Sequence, residues 1–137
     1  MVDARLLERK IATLRERIAR IRSKLPHTAA ELVGDEDRRE LVSFNLFLAF
    51  QEALDIAAHL IADAGWAVPA SAREHFETLA AHQVIDVDLA SELAACAGAR
   101  NLIAHAYGTL DFARLHAETP LGLAALERFA AAIAAQA

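Results

Sequence analysis

The sequence has few of the residues that cross-link, break or anchor a chain. Its single cysteine, Cys96, excludes an internal disulfide and favours a reducing compartment. Five glycines and three prolines leave few points at which a helix must end. No uninterrupted apolar run approaches the ~20 residues of a membrane span, and the N-terminus lacks the apolar stretch of a signal peptide. We therefore expect a cytoplasmic protein without membrane contact.

Helix-forming residues make up much of what remains. Hydrophobic residues reach 55%, many of them alanine, the strongest helix former. A chain of 137 residues is the size of one domain and buries roughly two thirds of its unfolded surface. Strand alternation, repeats and linkers are absent from the pattern. The sequence predicts a single all-α domain over residues 1–137, an antiparallel bundle of about five helices.

Charge is distributed unevenly along the chain. Residues 1–24 carry eight bases and three acids, a net charge of +5, whereas the remainder carries six bases and sixteen acids, a net charge of −10. A basic helix on an acidic body can contact RNA or an acidic partner, or it can simply be a solvated face. The sequence leaves these alternatives open.

Hydrophobic spacing and capping residues predict where the helices lie. The first should run from Asp3 to Leu25 with a heptad-like apolar seam, and Pro26 should end it. The seam is too short to distinguish a coiled coil from packing within the bundle. The other predicted helices are residues 35–65, a short one capped by Ser71 and reaching about His82, one from Asp86 or Asp88 to Tyr107 that Gly108 ends, a short turn or helix capped by Asp111, and a last one from Thr119-Pro120 through Ala134.

The helix at residues 35–65 is apolar over most of its circumference. Such a helix is usually covered on nearly all sides, and so small a protein has too few other helices to cover it. We therefore expect a homodimer in which a second copy covers one side of this helix.

The helix ending near Tyr107 carries the residues with chemical potential. Arg100 lies in line with its apolar stripe, where a guanidinium needs an acid or a phosphate as partner. Asn101 and His105, four residues apart, share another side. Arg100 and His105 are about 140° apart around the helix, so two copies facing each other across a two-fold axis would best bring both to one ligand.

Other polar residues give weaker indications. Gln51, Asp55 and His59 follow one side of the 35–65 helix; Asp55 either pairs with His59 or lines a cleft and orients a catalytic group. The remaining histidines lack metal-ligand spacing, so we expect no metal and no cofactor. Cys96, on the apolar stripe, is expected to be an inert core thiol.

The run from Arg100 to Tyr107 resembles the R-x4-H-x-Y signature of HepT-like HEPN proteins. The segment from Gln51 to Ile61 is similar to that family's second helix, and the likeness extends over residues 41–135. Ala104 departs from the pattern, because many members carry a larger β-branched residue there. This change affects packing more than chemistry.

The resemblance implies a homodimeric toxin with a composite cleft and metal-independent endoribonuclease activity, part of a type II or VII-like toxin–antitoxin pair. His105 would act as general acid or base and Arg100 would hold the phosphate, while Asn101 would orient His105 or contact the phosphate. The antitoxin would be an MNT-type nucleotidyltransferase that attaches AMP to Tyr107, with the AMP phosphate beside Arg100. Two alternatives stay open: a non-catalytic HEPN subunit that binds a nucleotide or serves a nucleotidyltransferase, and a pure scaffold.

Overall fold

The computed structural model describes residues 3–136, which form helices and no strand. Met1, Val2 and Ala137, the ends of the predicted domain, lie outside the described residues. The α-helices are α1 (Ala4–Lys24), α2 (Ala29–Val33), α3 (Glu36–Ala64), α4 (Ala72–Ala81), α5 (Val87–His105) and α6 (Phe112–Ala134), and a 3-10 turn spans Tyr107–Thr109. The predicted all-α fold is confirmed.

Each of the six α-helices begins at a side-chain oxygen that accepts a backbone N–H of its first turn. This bond satisfies a donor that has no partner inside the helix. The capping residues are Asp3, Thr28, Asp35, Ser71, Asp86 and Asp111. At the other end of α3, Gly65 adopts a left-handed φ of 73°, as a helix-ending glycine does. These local contacts explain why the predicted starts of α1, α3 and α4 lie within a residue of the observed ones.

The structure differs from the predicted helices in two places. The five-residue α2 was not predicted, and α6 begins at Phe112 instead of Thr119-Pro120. Pro120 lies inside α6, where it removes one backbone hydrogen bond. The helix continues because its next turns bury Leu123, Leu126 and Phe129, each at most 1% exposed. Tertiary packing therefore outweighs the local cost of proline.

α3 is the central helix, and α1 and α5 flank it on different sides. On the α1 side, Arg17 Nη1 donates to Asn45 Oδ1 at 3.1 Å; on the α5 side, Arg100 Nη1 donates to Gln51 Oε1 at 3.3 Å. The apolar seam of α1 is buried within the bundle from Leu7 to Ile21. By length and composition α3 could cross a membrane, but half of its most apolar stretch is buried here, as in the core helix of a soluble protein.

One side of α3 is left uncovered between these two neighbours. Phe44 is 60% exposed although it is a large apolar residue in the N-terminal third of the chain's longest helix. The residues that follow it along this side are half-buried or exposed, and we call the set the open strip of α3: Phe44, Leu48, Gln51, Asp55 and His59. An apolar helix with one uncovered side is what the sequence predicted.

Some basic residues of α1 pair with other helices, and others face solvent. Arg22 pairs with Glu127 of α6. Arg9, Arg20 and Lys24 are exposed and form no ion pair within residues 3–136. This basic face is available to a partner, and it is equally compatible with solvation alone.

Candidate active site at the end of α5

α5 ends two residues earlier than the sequence predicts. Its last residue is His105, Ala106 is the C-cap, and Tyr107 begins the 3-10 turn. Gly108 does not take the left-handed conformation of a helix-ending glycine. Instead, the backbone N–H and the hydroxyl of Thr109 both donate to the Ala106 carbonyl, at 3.0 and 2.9 Å. The prediction that Gly108 ends this helix is wrong, and Tyr107 stands outside α5.

Arg100 is half-buried and held by neutral oxygen atoms. Its Nη2 donates to Asn101 Oδ1 at 2.7 Å and its Nη1 to Gln51 Oε1 at 3.3 Å, while its Cζ lies 5.9 Å from the centre of the Phe47 ring. The Nε atom is buried and makes no hydrogen bond. Within residues 3–136 no carboxylate pairs with this guanidinium. Its positive charge is therefore oriented without being neutralised, which suits it to bind an anion.

Gln51 connects this guanidinium to Asp55. Gln51 Nε2 donates to Asp55 Oδ1 at 3.4 Å, so the amide bridges the carboxylate and Arg100. The structure thus connects Asp55 to Arg100 through Gln51 and not by a direct contact. Sequence reasoning placed Gln51 with Asp55 but missed its contact with Arg100, because those residues are 49 apart and meet only through helix packing.

Asn101 and His105 lie on the exposed side of α5. They are four residues apart, so their side chains are neighbours along one face. The Arg100–Asn101 bond draws the guanidinium towards this face, although Arg100 and His105 leave the helix in different directions. A Cβ on Gly98 would meet nothing within 4 Å, which shows how open this face is in one copy. The imidazole of His105 makes no hydrogen bond within the described residues.

Tyr107 packs at the N-terminal half of α3. Its ring lies edge-on to Phe112 with centroids 5.7 Å apart. Partial burial, followed by the nearby carboxylate of Glu40, raises the pKa of the phenol, while Arg39 and the Ser43 hydroxyl lower it by less. No hydrogen bond of normal geometry satisfies the Ser43 oxygen. The phenol is therefore neutral at physiological pH, and its oxygen lies near the Ser43 hydroxyl without a hydrogen bond of normal geometry.

Tyr107 and Arg100 meet different parts of α3. The phenol is near Ser43, whereas Arg100 contacts Gln51, eight residues further along. At 1.5 Å per residue these two positions are about 12 Å apart. The expectation that a phosphate on Tyr107 would lie beside Arg100 stays a prediction, because these contacts give the spacing along α3 and not the distance from the phenol oxygen to the guanidinium.

The interior between α3 and α5 is too tight for a ligand. A cavity of about 10 Å³ lies between Phe50, Phe76, Cys96 and Arg100, which is space for roughly one water molecule. Burial raises the pKa of the Cys96 thiol to about 11, which fits the inert core thiol that the sequence predicts. A ligand of Arg100 therefore has to approach from the surface of the bundle and not from this interior.

An all-α bundle with Arg100, Asn101 and His105 on its fifth helix, and Tyr107 just beyond, defines a HEPN-type protein. The family described as ribonuclease HepT-like matches residues 14–133. The chain belongs to this family. The match confirms the resemblance drawn from the sequence, and with it the ribonuclease class of enzyme.

Individual relatives agree with this assignment. The mRNA nuclease HepT of Shewanella oneidensis is 29% identical over 102 residues, which cover 74% of this chain and 76% of the relative. The tri-AMPylated Shewanella oneidensis HEPN toxin, solved in complex with its MNT antitoxin, has a TM-score of 0.88 at 27% identity and covers 98% of this chain and 99% of that one. A toxin–antitoxin structure with AMP-PNP has a TM-score of 0.86 at 26% identity, with 97% and 99% covered.

Proposed function

We propose that this single-domain protein is the cytoplasmic endoribonuclease toxin of a toxin–antitoxin pair and that it cleaves RNA without a metal ion. The observation that carries the proposal is the Arg100 guanidinium, which neutral oxygens orient beside the exposed face of Asn101 and His105. A scaffold has no use for a half-buried cation without an acid, because its desolvation is uncompensated. A phosphate supplies the missing anion.

Each side chain has one role in this mechanism. Arg100 binds the scissile phosphate and stabilises the charge that develops on it, and Asn101 holds Arg100 in place. One His105 takes the proton of the ribose 2′-hydroxyl, whose oxygen forms a bond to phosphorus. The bond from phosphorus to the 5′ oxygen then breaks, and a second imidazole gives that oxygen a proton. The products are a cyclic 2′,3′-phosphate and a 5′-hydroxyl.

The second imidazole has to come from another copy of the chain. The open strip of α3 and the exposed face of α5 are adjacent, so an isologous contact through the strip would bring two His105 residues to one cleft. Asp55, on this strip, would line the cleft and orient Arg100 through Gln51.

The protein should sediment as a dimer at micromolar concentration. Phe44→Glu, which puts a charge on the most exposed large apolar residue of the open strip, should shift the protein to a monomer and remove RNA cleavage with it. Leu121→Glu is the matched control, because Leu121 is also a large exposed apolar residue, 72% exposed, but belongs to α6 and not to α3. A clean monomer for the unsubstituted protein would refute the composite cleft.

RNA cleavage should continue in the presence of EDTA. The mechanism takes its nucleophile from the RNA itself, so it needs no metal-bound water. Within residues 3–136 no three His, Cys, Asp or Glu side chains are grouped for a metal ion. The test is a time course on a fluorescently labelled RNA with and without chelator. Loss of activity that added Mg²⁺ restores would contradict the proposal.

The antitoxin that we propose is an MNT-type nucleotidyltransferase that attaches AMP to Tyr107. One relative was solved as a tri-AMPylated toxin with such an antitoxin, and here Tyr107 lies just beyond α5 and is only partly buried. In this step the oxygen bonds to the α-phosphorus of ATP, the bond to the pyrophosphate breaks, and pyrophosphate leaves. The phenol proton passes to a base of the transferase, because a tyrosine phenol is neutral near pH 7 and the raised pKa of Tyr107 makes it a still weaker acid.

The second candidate function is a non-catalytic HEPN subunit of a nucleotidyltransferase. The net charge of −5 favours it, since RNA-binding proteins usually carry a basic surface. Purified protein incubated alone with RNA distinguishes the two: cleavage supports the toxin, and intact RNA supports the subunit.

A further inference from the structure

Among residues 3–136, one cation and two acids act on the Tyr107 phenol. Phe112 provides the link: its ring lies edge-on to Tyr107, and the Cζ of Arg39 is 5.2 Å from the centre of the same ring. The guanidinium and the phenol therefore flank one aromatic side chain. Glu36 and Glu40 are the acids close enough to act on the phenol.

Arg39 is oriented but not neutralised. Its Nη1 donates to the Val33 carbonyl at the end of α2, and its face rests on the Phe112 ring. Its neighbour Arg38 instead pairs with the Asp35 carboxylate at 3.7 Å. Within the described part of the chain, Arg39 has no such carboxylate partner. Arg39 near Tyr107 therefore resembles Arg100 at the end of α5: neutral groups hold each guanidinium in place.

A phosphate attached to Tyr107 would enter this environment with a negative charge. The carboxylates of Glu36 and Glu40 would repel it, and the Arg100 contacts lie about 12 Å further along α3. Among residues 3–136, Arg39 is the cation whose field reaches the phenol. A guanidinium also offers two parallel N–H donors, which match the two free oxygens of a phosphodiester.

We propose that Arg39 is the phosphate-binding residue of the modified protein, and that its guanidinium pairs with the first AMP phosphate on Tyr107. The inference rests on the proposed modification of Tyr107. It places the phosphate over Phe112 and the N-terminal half of α3, and it leaves Arg100 unpaired. The nucleoside is then the part that extends towards Asn101 and His105 and obstructs the RNA.

The test compares Arg39→Ala, Arg39→Lys and the matched control Arg38→Ala in the full-length protein. Each is incubated with ATP and the nucleotidyltransferase encoded beside it, and intact mass follows the first added AMP. Arg39→Ala should be modified about tenfold more slowly, since a charge-assisted hydrogen bond is lost. Arg39→Lys should recover part of the rate because it keeps the charge, and Arg38→Ala should match the unsubstituted protein.

A second readout separates contact with the phosphate from contact with the transferase. The modified proteins are purified away from the enzyme and their phosphodiester signal is recorded by ³¹P NMR. The signal should shift in Arg39→Ala and stay in place in Arg38→Ala. RNA cleavage by each unmodified variant shows that the variant is folded. If Arg39→Ala does not fold, the ³¹P signal of Arg39→Lys tests the phosphate contact instead.

The possible failures are distinguishable. An Arg39→Ala protein that is modified at the unsubstituted rate and keeps the same ³¹P signal would overturn the inference while leaving Tyr107 as the acceptor. A slower rate with an unchanged signal would make Arg39 a docking residue for the transferase, which also overturns it. If the unsubstituted protein gains no AMP, or Tyr107→Phe gains as much, the proposed function itself fails at this point.

Discussion

Replacing His105 by alanine should abolish RNA cleavage and leave the fold intact. The imidazole is the group of the site that can exchange protons near neutral pH, and a general acid or base contributes roughly 10²–10⁴-fold to a rate. A dimer would lose both of its proton-transfer groups through one substitution, so we expect at least about a 100-fold loss. The measurement is the single-turnover cleavage rate of a labelled RNA.

Stability should change little in this variant. His105 is the last residue of α5, and its exposed side chain makes no hydrogen bond within residues 3–136. Such surface substitutions usually change the free energy of unfolding by no more than about 0.5 kcal/mol. The control is His27→Ala, which removes an exposed histidine from the turn between α1 and α2. Cleavage by His105→Ala at the rate of the His27→Ala protein would exclude His105 as the proton-transfer group.

Local rules account for the parts of the fold that the sequence could predict. A capping side chain and the first turn it caps are neighbours in the chain, so Asp35, Ser71 and Asp86 mark their helices without knowledge of the tertiary structure. The buried seam of α1 likewise follows from the spacing of its apolar residues. The order of Arg100, Asn101 and His105 along one helix fixed their relative directions before any packing was known.

Contacts between distant segments account for what the sequence could not predict. Pro120 resembles a helix start because proline favours the first turn of a helix. Only the buried positions of α6 show that the helix continues through it. The end of α5 is the exception, since it depends on a local pattern, two bonds from Thr109 to the Ala106 carbonyl, which residue types alone do not specify. Gln51 contacts Arg100 because α3 packs against α5, and Arg39 contacts Phe112 because α3 packs against α6. Neither contact can be read from neighbouring residues in the sequence.

Tyr107→Phe should escape modification and keep RNA cleavage. The substitution removes one oxygen and preserves the ring that packs edge-on to Phe112 at 5.7 Å. That oxygen makes no hydrogen bond of normal geometry, so removing it breaks no such bond. The nearby Ser43 hydroxyl is already unsatisfied in the unsubstituted protein. We expect a cleavage rate within about threefold of the unsubstituted protein, because the phenol takes no part in proton transfer.

The same variant should be toxic even when the nucleotidyltransferase is present. AMP on Tyr107 brings a charge and a nucleoside next to the open face of α5, and without the acceptor oxygen this obstruction cannot form. The measurement is intact mass after incubation with ATP and the transferase, together with cell growth during co-expression. The unsubstituted protein should gain mass in steps of one AMP and lose cleavage, whereas Tyr107→Phe should gain none and stop growth. Equal mass gain by both proteins would place the acceptor elsewhere and leave Tyr107 as a packing residue beside Phe112.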